Sequence, residues 1–181
     1  MKILNYKECL EEYGGRARIM TMVRRGELYC IGRGLYADAP SVPEESVLLK
    51  RYGRTILTLE SAYYHYDLSD NLPDRVHLAS DRRGVRIKDE RVVQYFMPDG
   101  TLDVGVTSIQ SDGQSLRIYD LERVLIETVR YRTKLSHDLY KEVIGRFREI
   151  KDRLYPAKLT DYLEKFPKSE SLFQVIEREV F

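Results

Sequence analysis

Residues 5–37 read NYKECLEEYGGRARIMTMVRRGELYCIGRGLYA, and this stretch decides how the rest of the chain is read. Asn5 and Glu8 stand three residues apart, the spacing of a helix N-cap and its reciprocal partner. Tyr6, Cys9, Leu10 and Tyr13 follow at i, i+3, i+4 and i+7, one apolar stripe of a helix. Gly14-Gly15 ends that helix, because glycine tolerates the left-handed conformation that closes a helical end. A second helix fits Arg16 to Arg25, with Ile19, Met20 and Val23 on one side and Arg18, Thr21 and Arg25 on the other. Two β-prone runs, Leu28 to Ile31 and Leu35 to Ala37, flank Gly32-Arg33-Gly34 and read as a hairpin. Residues 1–39 therefore have the order of a winged helix-turn-helix unit, in which the second helix enters the major groove and the hairpin meets the neighbouring backbone.

The charges fit that order. Between residues 15 and 34 five arginines (16, 18, 24, 25 and 33) face a single acid, Glu27. Over all 181 residues the balance is nearly even, 30 basic against 29 acidic side chains. Bulk charge alone therefore does not explain nucleic-acid binding, and a local basic patch remains open. Arg16, Arg18, Thr21 and Arg25 are the candidates for the recognition helix and Arg33 for the wing tip. The competing reading is a small helical cap with solvated arginines.

Beyond Pro40 the pattern changes. Residues 40–181 are expected to form a larger α+β domain, with strands in the middle and helices at the end. Pro43 suits the start of a helix to about Tyr52, and Thr58 a cap for a helix carrying Leu59, Ala62, Tyr63 and Tyr66. Strands are expected at 76–80, 92–97, 104–109 and 116–119. Asp120 and Ser136 are placed to cap two helices. Pro156 is expected to break the second of these, and Ser169 to cap the last helix. A second basic run, Arg82, Arg83, Arg86 and Lys88, joins two expected strands. It reads either as an accessory phosphate-binding loop or as a charged hairpin on a solvated face.

Other chemistry finds little support. His65, His77 and His137 have no ligand spacing, and Cys9 and Cys30 form neither a metal cluster nor a disulfide framework, so no metal and no cofactor is expected. Asp120 and Glu122, at i and i+2, should point apart on a helix. No nucleophile, base and oxyanion site assembles, and no catalytic residue is assigned: the chain does not read as an enzyme. No apolar run reaches membrane-spanning length and the N-terminus lacks a signal-peptide pattern, so a cytoplasmic protein with reduced thiols is expected.

Residues 22–28 (MVRRGEL), 31–36 (IGRGLY), 57–62 (LTLESA) with Asp67-Leu68, 72–79 (LPDRVHLA) and 118–127 (IYDLERVLIE) follow one another in an informative order. Together they resemble the AbiEi antitoxins of type IV toxin–antitoxin (abortive infection) systems. The last is similar to that family's T-P-E-R-A-L-L-D helix start. The resemblance covers roughly residues 20 to 150. It implies a winged-helix repressor of its own promoter, joined to a domain that counters a nucleotidyltransferase-like AbiEii toxin without a stable complex. By position it gives the recognition role to Arg16, Arg18, Thr21 and Arg25 and the wing role to Arg33. The family's unit usually has one more helix in front, and only four residues precede Asn5 here. The apolar stripe is therefore expected to need cover from outside the unit. An alternative reading is a protein-interaction module acting through residues 40–181 without binding DNA.

Overall fold

The computed structural model describes residues 1–181. It is an α+β fold with eight α-helices and two sheets. The chain divides into two compact units, residues 1–54 with 109–116 and residues 55–108 with 117–181. The expected boundary at residue 39 falls inside the first unit, which also takes in a helix at Glu44–Arg51.

The first unit starts with β1 (Ile3–Asn5), a strand the periodicity did not announce because three residues are too few to show one. Asn5 then caps α1 (Tyr6–Tyr13). Its side chain accepts from the Glu8 N–H at 2.9 Å, and the Glu8 carboxylate accepts from the Asn5 N–H at 2.7 Å, the reciprocal pair expected from their spacing. Gly14 closes α1 at φ +79°, and its N–H bonds to the Leu10 carbonyl. After Gly15 comes α2 (Arg16–Arg24), then β2 (Tyr29–Gly32), β3 (Leu35–Ala37) and α3 (Glu44–Arg51). The three strands pair antiparallel in the order β1-β3-β2.

Leu4, Cys9, Ile19 and Leu28 form the buried centre of this unit, with Leu10, Tyr13, Met22, Val23 and Tyr36 packed around it. Met20 does not join them: it is exposed, and Met22 takes the inward place. Cys9, Leu10 and Tyr13 of the α1 stripe thus find cover within their own unit, from β1 ahead of the helix and from α2 and the β2–β3 hairpin behind it, while Tyr6 stays exposed. The α3 helix, which packs on β1, buries Val47 and Leu48.

The second sheet has the order β6-β5-β4-β8-β7, from β4 (Ile56–Leu57), β5 (Val76–Asp81), β6 (Val92–Met97), β7 (Val106–Ser111) and β8 (Gln114–Tyr119). It is mixed: β4 runs antiparallel to β5 and parallel to β8, and β5 runs parallel to β6. The last pairing corrects the charged-hairpin reading of residues 82–88, since a hairpin joins antiparallel strands. Instead the ten residues 82–91 carry the chain back along the full length of β5. At about 3.3 Å per extended residue that reach is sufficient without a helix.

The second unit is built around α5 (Leu121–Arg130), which packs on α4 (Leu59–His65), α7 (Pro156–Leu163) and α8 (Ser169–Val180). The α6 helix (His137–Glu149) packs on α8 and buries Val143, Ile144 and Phe147. Asp120 and Ser136 cap α5 and α6 through their side chains, as expected. Three local expectations fail. Thr58 stands at the N-cap of α4, but its hydroxyl makes no cap bond. Pro156 opens α7 at a position where its missing N–H costs nothing, after α6 has already ended. Lys168, at φ +62°, rather than Ser169, precedes α8. No helix is long and apolar enough to cross a membrane.

Candidate nucleic-acid interface

Burial of one face of α2 decides what the other face shows. Ile19 is fully buried and Met22 and Val23 are half-buried, so Arg16, Arg18, Thr21 and Arg24 project outward. Arg25 caps the C-terminal end of the helix and is also exposed. Arg16, Arg18 and Arg24 make no hydrogen bond or ion pair, and Arg25 approaches Glu27 only at 4.0 Å. Thr21 donates its hydroxyl to the Ala17 carbonyl at 3.0 Å, leaving its oxygen free to accept. The structure therefore leaves all four residues expected on the second helix exposed. The long cationic side chains there are not committed to internal partners.

The fifth candidate, Arg33, is the exposed first residue of the two-residue tip between β2 and β3. Gly34 follows at φ +71°, a conformation that would strain any other residue. The tip is tied to α1 by the Tyr6 N–H, which donates to the Gly34 carbonyl at 2.9 Å. On the strand below, the register shifts between Cys30 and Gly32, a bulge that re-aims the hairpin. A Cβ on Gly32 would collide with the guanidinium of Arg51 from α3.

On the other face of the unit, Lys50 bonds the Glu8 carboxylate at 2.7 Å, and this contact holds Glu8 below its ordinary range. The ion pair ties α3 to the capping box of α1. Cys9 is fully buried, and burial raises its thiol. Cys30 is exposed on β2 and donates to the Gly32 carbonyl.

The second basic run lies in the β5–β6 crossover. Arg82, Arg83, Arg86 and Lys88 are all exposed, and Arg83 reaches Asp99 at 3.3 Å.

Sequence reasoning missed the polar clusters of the second unit, each assembled from residues far apart in the chain. Arg123 is completely buried. Its guanidinium donates to Glu127 at 2.9 Å and to the carbonyls of Thr101 and Val104 at 2.6 and 2.7 Å, and it lies over the Tyr119 and Phe166 rings. Asp120 and Glu122, expected to diverge, converge on Lys158 at 2.9 and 3.1 Å. Asp120 is the cap rather than a helical residue, so helical spacing does not apply to it. Tyr162 adds a 2.9 Å hydrogen bond to Asp120. His77 is buried between Tyr95, whose hydroxyl lies 3.1 Å from Nδ1, and Glu60, 3.7 Å from Nε2. Burial, then the charge of Arg75, hold its pKa down at about 4. No group of three metal-ligating residues comes together.

The class this defines is a two-unit α+β protein whose N-terminal unit carries an exposed basic helix followed by a short β-hairpin. No family model matches the chain, and no curated protein matches it. Among solved structures it is similar to the RV2827C protein from Mycobacterium tuberculosis. The TM-score is 0.66 and the identity 15%, over 99% of this chain and 71% of that one. At that identity the likeness concerns the fold.

Proposed function

We propose that the chain is a DNA-binding transcriptional autorepressor and antitoxin of the AbiEi type, with a winged helix-turn-helix in its N-terminal unit and an AbiEii-like toxin as its functional antagonist. The observation that supports DNA binding is the pairing of topology with exposure. The unit runs strand, helix, helix, strand, strand with sheet order β1-β3-β2, its second helix turns Arg16, Arg18, Thr21 and Arg24 to solvent, and the hairpin tip that follows carries an exposed Arg33. In a winged helix the residues of the second helix reach base edges and phosphates in the major groove, and the hairpin meets the flanking backbone. The α3 helix follows the hairpin and packs on β1. The antitoxin assignment is supported by the ordered resemblance of residues 57–79 and 118–127 to that family.

The deciding experiment is a binding titration of the protein on its own upstream region across a salt series. Arg18→Ala and Arg25→Ala are each expected to weaken binding. A lost base contact costs about 1–3 kcal/mol and relaxes sequence preference, and a lost phosphate contact flattens the salt slope by about one unit. Unchanged affinity and slope in the double variant refute the winged-helix reading. Rescue of growth against a co-expressed candidate toxin, measured in the same variant, tests the antitoxin role separately.

A further inference from the structure

The β5–β6 crossover is built to hold its shape. Gln94, on β6, accepts from the Ile87 N–H at 2.8 Å and donates to Ser80 Oγ at 2.8 Å and to the Val85 carbonyl at 3.1 Å. One side chain thus pins both the middle of the loop and the strand beneath it. At the entry, Asp81 accepts from the Arg83 N–H at 2.8 Å, and the Gly84 N–H bonds to the Asp81 carbonyl at 2.9 Å. A Cβ on Gly84 would press on that same carbonyl at 2.9 Å, so the turn requires glycine. At the exit, Asp89 takes the Arg91 guanidinium at 2.9 and 2.8 Å.

These contacts sort the charges. Asp81 and Asp89 are turned toward the loop itself, Arg91 is held by Asp89, and Arg83 has Asp99. Arg82, Arg86 and Lys88 are exposed and make no hydrogen bond or ion pair. Glu90 is the one exposed acid within residues 82–91. Three cations therefore project from a pinned frame around Val85, which is 89% exposed.

We infer that this loop is a second nucleic-acid contact, one that grips the sugar–phosphate backbone of duplex DNA without reading its sequence. The inference rests on the DNA-binding reading proposed above. Phosphates ask only for positioned cations, and a frame that is already rigid pays little ordering entropy on contact. A single-stranded nucleic acid would need aromatic stacking platforms, and residues 82–91 contain no aromatic side chain. A stable protein interface would need a broad apolar centre, and the loop exposes a single large apolar residue, Val85.

The test uses the full chain and two duplexes, its own upstream region and an unrelated sequence of equal length, titrated by fluorescence anisotropy over a salt series. In Arg82→Ala/Arg86→Ala/Lys88→Ala, affinity is expected to fall by the same factor on both duplexes, on the order of a hundredfold at physiological salt. The salt slope should drop by about 2.7 units for three phosphate contacts. Gln94→Ala keeps every charge and is expected to lower affinity with the slope unchanged. A native circular dichroism spectrum with unchanged affinity and slope in the triple variant overturns the inference. So does a loss confined to the protein's own upstream region, which would mean base readout. Loss of toxin neutralisation with DNA binding intact also overturns it, in favour of a protein contact. If Arg18→Ala/Arg25→Ala leaves binding untouched while the triple variant weakens it, the winged-helix reading fails and this one stands.

Discussion

Replacing Glu127 tests the centre of the second unit. Its carboxylate is completely buried and lies between two guanidinium groups, accepting from Arg123 at 2.9 Å and from Arg130 at 2.7 and 2.6 Å. Glu127→Ala removes the anion and leaves Arg123 charged at 0% exposure. The carbonyls of Thr101 and Val104 and the ring faces of Tyr119 and Phe166 still solvate that cation, but none carries a negative charge. Breaking a buried pair from one side costs about 3–5 kcal/mol, because the remaining charge cannot return to water. In a chain of this size each kcal/mol lowers the melting temperature by about 2–4 °C, so a drop of roughly 6–20 °C is expected. Glu127→Gln separates charge from packing. It keeps the volume and one acceptor oxygen, and it is expected to lose most of the same stability. Five of the eight helices lie in this unit, so far-UV circular dichroism during urea and thermal unfolding follows the relevant transition. A Glu127→Gln protein as stable as the parent, beside a destabilised Glu127→Ala protein, would mean that packing rather than charge is at stake. Two variants within about 1 kcal/mol of the parent would refute the argument altogether, since that is the scale of an exposed pair.

Two further perturbations probe the same unit. His77, held neutral with its pKa down at about 4, contributes stability that is fully present above the unfolded value of 6.5 and is lost as pH falls toward 4. The loss is about 3 kcal/mol. Burial holds Glu60 above its ordinary range, which acts in the opposite sense, so the measurement is the difference between the parent and His77→Gln from pH 7 to pH 4. Identical pH profiles would remove His77 from the account. Gly105 sits at φ +74°, and a Cβ there would lie 2.6 Å from Arg123 Cβ and 2.9 Å from the Tyr162 ring. Gly105→Ala is therefore expected to cost at least about 2 kcal/mol from overpacking and left-handed strain together, read by urea unfolding. A cost below about 0.5 kcal/mol would show that the site relaxes.

The features legible in the residues alone are those whose cause lies within a few positions. The capping box of Asn5 and Glu8, the glycine stop at residue 14 and the caps at Asp120 and Ser136 each close over three or four residues, so spacing reveals them. The exposed arginines of α2 were readable for the same reason. Once Ile19 and Val23 face inward, the 3.6-residue turn sends Arg18 and Thr21 outward. Where the period is too short to register, tertiary structure decided. Strand β1 and the two-residue strand β4 exist because a neighbouring strand completes their hydrogen bonds. Met20 and Met22 are equally apolar, and packing chose between them. Long-range pairing decided the rest. Nothing local distinguishes a charged hairpin from a parallel crossover at residues 82–91, because strand direction is set by which edges meet. An arginine in an amphipathic pattern reads as surface. Arg123 is interior because the carbonyls of Thr101 and Val104, about twenty residues away, and the carboxylate of Glu127 replace its water.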